Sequence, residues 1–282
     1  MRVSGHIPNG MSAEQAVRLI GASNRIKDKV LDGQNNRDAR SHDVYRLSLE
    51  TGELELVVQN DSYAGFLADD TLTLRWALRQ NAAGGTDMFE IGDGQIAETP
   101  RESTTLEDAM TTGVAGYTAD GKTLYWYDSR GRDTAALFAE DTTTGEKRLI
   151  AQDPNADIGG TMRHPVTGQV EAYSVNYLKT EWTALEPGVK ASLDWLRTQL
   201  KGEFGVQSRT EADDKWIVGH GPLIAPARAW LYDRKAQTLT QLYVSRPELE
   251  GAPLQPMHTP EIPTRDGLTM VCYLTLPPAS DP

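Results

Sequence analysis

The clearest strand–turn–strand pattern in the chain is DVYRLSLETGELELVVQN, residues 43–60. Apolar residues alternate with polar ones on both sides of a Thr-Gly turn, at Tyr45, Leu47, Leu49, Leu54, Leu56 and Val58. Alternation with period two is typical of strands with one buried face, and a glycine-containing connection is typical of a hairpin. The segment therefore predicts a β-hairpin.

The same pattern recurs along the chain, around turns within 88–98, 136–152 and 230–244, and each recurrence follows another strand pair. Successive turns are about 40 and then about 50 residues apart, a spacing typical of four-stranded propeller blades. One blade cannot bury both faces of its sheet, so neighbouring blades must stack. We therefore predict an all-β fold, a β-propeller of about five four-stranded blades. The predicted blades are 18–60, 62–102, 106–153, 157–187 and 204–246.

Two segments depart from this pattern. GVKASLDWLRTQLKG, residues 188–202, carries apolar residues at steps of three and four, which predicts an inserted amphipathic helix packed on the blade rims. The first unit shows no clean early strands, so a ragged start of the propeller is expected.

The composition excludes several classes of protein. The chain has 282 residues, 39% hydrophobic and 24% charged, with a formal net charge of −12. Nucleic acid and anionic lipid require a basic face, so neither is expected as a partner. No transmembrane span or signal peptide is visible, which favours a cytoplasmic location and leaves a periplasmic one open if the native N-terminus lies upstream.

The sequence contains no recognisable constellation of catalytic residues. There is no G-x-S-x-G elbow, and the five histidines are scattered singly, without the spacing that places two metal ligands on one helix face. A lone Cys272 excludes an internal disulfide, and its apolar strand predicts a buried thiol. We therefore expect no catalytic residue, no metal and no cofactor in this chain. The aspartates at 69–70, 120 and 213–214 are interpreted as turn caps.

Two polar stretches supply the candidate contact residues. In YDSRGRDTAALF, 127–138, Arg130, Arg132 and Asp133 either pair across a hairpin or present an arginine fork to a substrate carboxylate. In NNRDARSHD, 35–43, Arg37 and Arg40 either lie in a solvated loop or contact a partner domain. The structural interpretation is favoured for both stretches.

The end of the chain, PMHTPEIPTRDGLTMVCYLTLPP at 256–278, resembles the junction of prolyl oligopeptidase family serine peptidases, where a β-propeller leads into an α/β-hydrolase domain. The matching residues are Arg265, Asp266, Gly267, Leu268, Tyr273, Leu274 and Pro277. The blades resemble those of the acylaminoacyl-peptidase and dipeptidyl aminopeptidase branch. Propellers of this family usually have more than five blades, so the resemblance implies a partial propeller over 1–255, incomplete at its N-terminus. Over 256–282 it implies the first strands leading to a hydrolase domain outside the chain.

The resemblance also implies a function. The family's Ser, Asp and His lie in the hydrolase domain, so no position of this chain inherits those roles. The propeller would gate access of peptide substrate to the hydrolase domain, its partner in the full-length protein.

Two other functions stay open at this point. One is a stand-alone TolB-like interaction scaffold without enzymatic activity. The other is a propeller enzyme working at a central metal or carboxylate pair. An open array of five blades would also expose strand edges that pair with another chain, so a homo-oligomer is a further expectation.

Overall fold

The computed structural model describes residues 17–278 and 280, so expectations on residues 1–16, including His6, lie outside the described residues. The chain forms two compact units. One comprises the described residues up to Arg132 with Leu137–Leu149, and the other comprises Asp133–Ala136 and the residues from Ile150 onward.

The described residues are nearly all β-structure, arranged as successive antiparallel propeller blades. Blade 1 contains β1 (Val17–Ala22), β2 (Lys29–Asp38), β3 (Ser41–Ser48) and β4 (Leu54–Val58). Blade 2 contains β5 (Gly65–Ala68), β6 (Leu74–Gln80), β7 (Thr86–Gly92) and β8 (Gln95–Ile96), with β9 (Glu102–Ser103) pairing on β7. Blade 3 contains β10 (Gly113–Tyr117), β11 (Thr123–Asp128), β12 (Ala136–Asp141) and β13 (Lys147–Ala151).

The remaining blades are separated by the helix. Blade 4 contains β14 (Ile158–Arg163), β15 (Val170–Asn176) and β16 (Thr180–Ala184). The helix α1 (Pro187–Gln199) follows, and blade 5 contains β17 (Glu203–Arg209), β18 (Lys215–Gly221), β19 (Arg228–Asp233) and β20 (Thr238–Val244). A short 3₁₀ helix at Pro247–Leu249 precedes β21 (Met257–His258), β22 (Glu261–Pro263), β23 (Thr269–Val271) and β24 (Leu274–Thr275).

The five predicted blades are confirmed, with one difference. Blade 4 has three strands instead of four, because the chain passes from β16 directly into α1. The helix buries the apolar stripe that its spacing predicts, at Val189, Leu193 and Leu196, together with Leu200 just beyond it. These side chains share one core cluster with residues of blades 4 and 5.

Blade 1 corrects the expectation of a ragged start. Residues 17–38 form two paired strands, although β2 carries few β-formers. Its centre buries polar residues, Asp32, Gln34 and Asn35, beside Leu31. The Gln34 side-chain amide donates to Asp32 Oδ2 at 2.9 Å, so part of the buried polarity is satisfied within the strand.

Three tryptophans are almost fully buried: Trp76, Trp126 and Trp216. Trp76 of blade 2 meets Trp126 of blade 3 edge to face, with ring centroids 5.4 Å apart. The Trp76 Nε1–H donates to the Tyr117 hydroxyl at 2.7 Å. Burial raises the pKa of Tyr117 to about 12, so this hydroxyl remains protonated at neutral pH. Aromatic contacts therefore join adjacent sheets, as stacked blades require.

The turn between β6 and β7 imposes a steric requirement for glycine. A Cβ added at Gly85 would lie 1.9 Å from the backbone oxygen of Thr104. We expect Gly85→Ala to destabilise the chain by about 1–3 kcal/mol, because backbone must move to accept the methyl group. The matched control is Gly65→Ala, where no atom lies within 4 Å of the added Cβ. Urea midpoints should fall for the first variant only, and equal midpoints would contradict the clash.

Candidate functional site

Arg130 lies in the turn after β11, and its side chain is held by two carboxylates. Its Nε and Nη2 atoms donate to both oxygens of Asp128, at 2.9 and 2.7 Å. Its Nη1 donates to Glu102 Oε2 at 2.6 Å, and Lys147 Nζ reaches the other oxygen of Glu102 at 2.7 Å. Burial raises the pKa of Glu102, but the hydrogen bonds from Lys147 and Arg130 outweigh it and lower the pKa overall. Arg130 therefore has a structural role, tying blade 3 to strand β9.

The other two residues of this turn lie apart from that network. The Arg132 guanidinium sits 5.6 Å from the ring centroid of Phe138, in cation–π geometry. Asp133 is exposed. The proposed substrate or domain contacts of Arg130, Arg132 and Asp133 stay predictions.

The stretch 35–43 is a strand–turn–strand segment and not the solvated loop that the sequence favours. Arg37 donates to both carboxylate oxygens of Asp43, at 2.9 and 2.8 Å, and to the carbonyl oxygen of Asn60 at 2.7 Å. Hydrogen bonding to Arg37 lowers the pKa of Asp43. These bonds satisfy a buried carboxylate, which is the physical reason that so polar a stretch can enter a sheet. Arg40 pairs with Asp38 and is largely exposed.

Two of the aspartate turns behave as predicted. Asp69 accepts from the backbone N–H of Thr71 at 2.8 Å, and Asp120 accepts from that of Lys122 at 3.1 Å. Asp213 differs, because its side chain binds the Arg209 Nε at 2.5 Å and the Trp216 Nε1 at 2.7 Å.

No triad or metal cluster is present within residues 17–278 and 280. His220 Nε2 lies 2.8 Å from the Lys201 carbonyl oxygen, and His164 Nδ1 accepts from turn N–H groups. In that part of the chain no hydrogen bond joins a serine hydroxyl to a histidine ring, and no three His, Cys, Asp or Glu side chains are grouped as metal ligands.

A pocket of about 550 Å³ lies at one end of blades 1 and 2. It is bounded by the start of β1, the β2–β3 turn, the β4–β5 connection and the β6–β7 turn, which the antiparallel order places at the same end of their sheets. Its basic lining residues are Arg18, Arg40, His42 and Arg79. Among the predicted contact residues, Arg40 is the one that lines this pocket.

Arg18 and Arg79 were not predicted from the sequence as pocket residues. Both lie near strand ends, where alternation gives no reason to single out a basic residue. The signal that could have found these two arginines is their position in the blades. Each lies at the blade end that carries the β2–β3 turn or the β6–β7 turn. That signal becomes readable only once the strand order is known.

The C-terminal hairpin is mostly exposed. β22 pairs with β23 around a turn at Gly267, whose φ is +87°, and β21 pairs with β24. The predicted strand–turn–strand is confirmed, but the second strand is divided in two around Cys272, which is half-buried and not buried as expected. The exposed large apolar side chains are Met257, Ile262, Leu268, Met270, Tyr273 and Leu274. Within the unit, the Tyr177 hydroxyl donates to Glu261 and holds the hairpin to blade 4.

No family model matches the chain. Dipeptidyl aminopeptidase BIII of Pseudoxanthomonas mexicana is 43% identical over 265 residues, which are 94% of this chain and 38% of that protein. Dipeptidyl peptidase family member 6 of Caenorhabditis elegans is 25% identical over 271 residues, 92% of this chain and 36% of that protein. The chain thus spans less than two fifths of the length of these relatives. A solved puromycin-hydrolyzing peptidase of Mycobacterium tuberculosis matches 94% of the chain with a TM-score of 0.57 at 12% identity, covering 43% of that structure.

In sequence and fold the chain resembles the β-propeller segment of prolyl oligopeptidase family peptidases. The fold match extends to prolyl oligopeptidase B of Galerina marginata, with a TM-score of 0.54 over 87% of this chain and 36% of that one at 11% identity. At such identities the structural matches support the propeller fold alone. No helix among residues 17–278 is long and apolar enough to cross a membrane.

Proposed function

We propose that this chain is the propeller portion of a serine peptidase and that it gates peptide access to an α/β-hydrolase domain. The observation that carries the proposal is the 43% identity across 94% of the chain to a dipeptidyl aminopeptidase of which the chain spans 38%. A match that spans nearly all of this chain but less than two fifths of the relative is what one domain of a larger enzyme would give. The proposed boundary between propeller and junction lies at residue 255.

The C-terminal hairpin supports this assignment. Exposed apolar side chains on two short paired strands are unfavourable in water, and small isolated hairpins are marginally stable. A hydrolase domain that continues from Pro277 and Pro278 would cover these side chains and add strands to them. Asp266 accepts hydrogen bonds from Thr264 and from the Leu268 N–H, so it acts as a turn residue and not as a catalytic acid.

The chemistry would take place in that second domain. A serine hydroxyl there would attack the scissile carbonyl while a histidine accepts its proton, and an aspartate would orient the histidine. The histidine would then return the proton to the leaving amine. The propeller would supply substrate selection by admitting short or unfolded chains, and its own residues would form no covalent bond to substrate.

The proposal predicts that the 282-residue chain alone does not hydrolyse dipeptidyl chromogenic substrates, because the nucleophile and base are assigned to the second domain. The protein encoded by the reading frame extended beyond Pro282 should hydrolyse them, and its sequence should contain a G-x-S-x-G motif. The control is the extended protein with the serine of that motif replaced by alanine, which should be inactive. Hydrolysis by the short chain would contradict the proposal, and a stop codon directly after Pro282 would favour the scaffold.

A further inference from the structure

The basic pocket of blades 1 and 2 has a charge opposite to that of the chain. The chain carries 40 acidic and 28 basic residues, yet the pocket is lined by three arginines and one histidine and by no aspartate or glutamate. In a protein of net charge −12, such a lining produces a local positive potential within an acidic surface. An anionic group entering the pocket therefore meets basic lining residues and no acidic ones.

The three arginines of the pocket differ in their ion pairing. Within residues 17–278 and 280, neither Arg18 nor Arg79 forms an ion pair, whereas Arg40 pairs with Asp38 at 3.0 Å. The Arg79 guanidinium is stacked 4.5 Å from the centroid of Phe89 and 5.9 Å from that of Tyr63. Stacking occupies the face of the guanidinium and leaves the donors at its edge for a planar anion.

The carboxyl group near His42, that of Asp32, is 4% exposed and does not line the pocket. Burial raises the pKa of Asp32 overall, although the hydrogen bond from Gln34 and the charge of His42 act to lower it. Arg37 in the same blade differs from the pocket arginines Arg18 and Arg79, because it forms ion pairs with Asp43 and Asp61.

Most of the rest of the lining is apolar, with Asn60, Gln80 and Thr86 as its polar members, and it fits an organic ligand better than an inorganic ion. Leu19, Ile20, Phe66 and Leu67 line the same space as the arginines. A volume of about 550 Å³ is within the range of pockets for small organic ligands. A ligand that combines one carboxylate with an adjacent apolar side chain satisfies both parts of the pocket.

We infer that this pocket binds the C-terminal carboxylate of a short peptide, with Arg18 and Arg79 as its anion-binding residues. The choice of a peptide as ligand rests on the proposed function, since every peptide ends in one such carboxylate beside one side chain. The pocket would hold the end of a substrate or product peptide remote from the cleaved bond. The arginines act by charge-assisted hydrogen bonds, which are stronger than neutral ones.

The test is binding to the 282-residue chain, measured by calorimetry at low salt with the peptide Ala-Ala-Ala-Leu as the free acid and as the C-terminal amide. We expect the acid to bind on the order of tenfold more tightly, since the amide replaces a charged acceptor by a neutral one. Arg18→Gln and Arg79→Gln should each reduce binding of the acid to the level of the amide. Arg148→Gln is the matched control, because Arg148 is exposed on β13 and does not line the pocket.

Several outcomes would overturn the inference. They are equal affinity for acid and amide, an equal loss in the Arg148 variant, and equally tight binding of inorganic phosphate or of a glutamate-containing peptide amide. Arg18 is exposed, so its variant keeps the test informative if the Arg79 variant fails to fold. The measurement involves no hydrolysis, so failure here and failure of the peptidase assignment are distinguishable.

Discussion

Replacing Trp126 with alanine is expected to destabilise the chain by about 3–5 kcal/mol, because a large aromatic side chain is removed from a close-packed core. The side chain is 1% exposed and packs edge to face on Trp76. Its Nε1–H donates to Glu140 Oε2 at 2.9 Å, and Lys147 Nζ lies 4.7 Å from the ring centroid. The substitution therefore removes a blade-to-blade contact and a donor to a buried carboxylate together.

Two variants separate these contributions. Trp126→Phe keeps an aromatic ring and removes the donor, so it should cost less than the alanine variant, about 1–3 kcal/mol. Leu149→Ala is the exposed control and should change stability by less than about 0.5 kcal/mol. Urea unfolding followed by far-ultraviolet circular dichroism gives the midpoints without relying on tryptophan emission. A Trp126→Ala midpoint equal to that of the Leu149 control would refute this account of blade stacking.

Arg209→Ala is expected to cost about 3–5 kcal/mol, because it leaves two carboxylates largely buried without their shared partner. The Arg209 side chain is 5% exposed and donates to Glu171 Oε2 at 2.7 Å and to Asp213 Oδ1 at 2.5 Å. Its guanidinium also lies 5.0 Å from the ring centroid of Trp216. One arginine thus joins blade 4, which contains Glu171, to the turn of blade 5.

Two control variants test whether the effect of Arg209 depends on the geometry of its guanidinium and on the burial of its ion pairs. Arg209→Lys keeps the charge but loses the fork that binds two carboxylates, so its loss of stability should be intermediate. Arg197→Ala breaks an exposed pair with Asp194 and should cost less than about 1 kcal/mol. If the Arg197 and Arg209 variants unfold at the same urea concentration, the buried network makes no special contribution.

The Arg209 network also predicts a pH dependence. Burial raises the pKa of Asp213, but the hydrogen bonds from Arg209 and Trp216 and the charges of Arg209 and Arg234 lower it overall. A carboxylate whose folded pKa is depressed stabilises the fold above its unfolded pKa, near 3.8, and that contribution is lost as the pH falls through the folded pKa. The difference in stability between the wild type and Arg209→Ala should therefore shrink on going from pH 7 to pH 3. A constant difference would contradict the assigned ionisation.

Much of the blade order could be predicted from the sequence, because the signals are local. Alternation at 43–60 and the Asp turns at Asp69 and Asp120 specify strands and their reversals without knowledge of distant partners. The helix could be predicted in the same way, because the three- and four-residue spacing of Val189, Leu193 and Leu196 reveals its buried stripe. The resemblance at 256–278 likewise indicated the prolyl oligopeptidase family before any geometry was known.

The structural features that the sequence did not predict depend on contacts between residues distant in the chain, or on burial of residues whose composition is polar. Strand β2 escaped notice because Asp32 and Gln34 are polar residues that the fold buries and satisfies. Blade 4 lost its fourth strand because α1 takes the chain away after β16. In both cases tertiary packing overrides the local propensity of the segment.

The sequence alone determines that this protein is a run of propeller blades interrupted by one helix, because period-two and period-3.6 patterns are properties of short segments. Tertiary structure determines which charged groups meet. Arg18, Arg40 and Arg79 lie far apart in the chain and come together only because β1, β3 and β6 each place one end at the same side of stacked blades. Arg37 and Arg130, which look equally available in the sequence, are occupied by carboxylates. Coulomb interactions depend on distance in space, and a single sequence does not contain that distance.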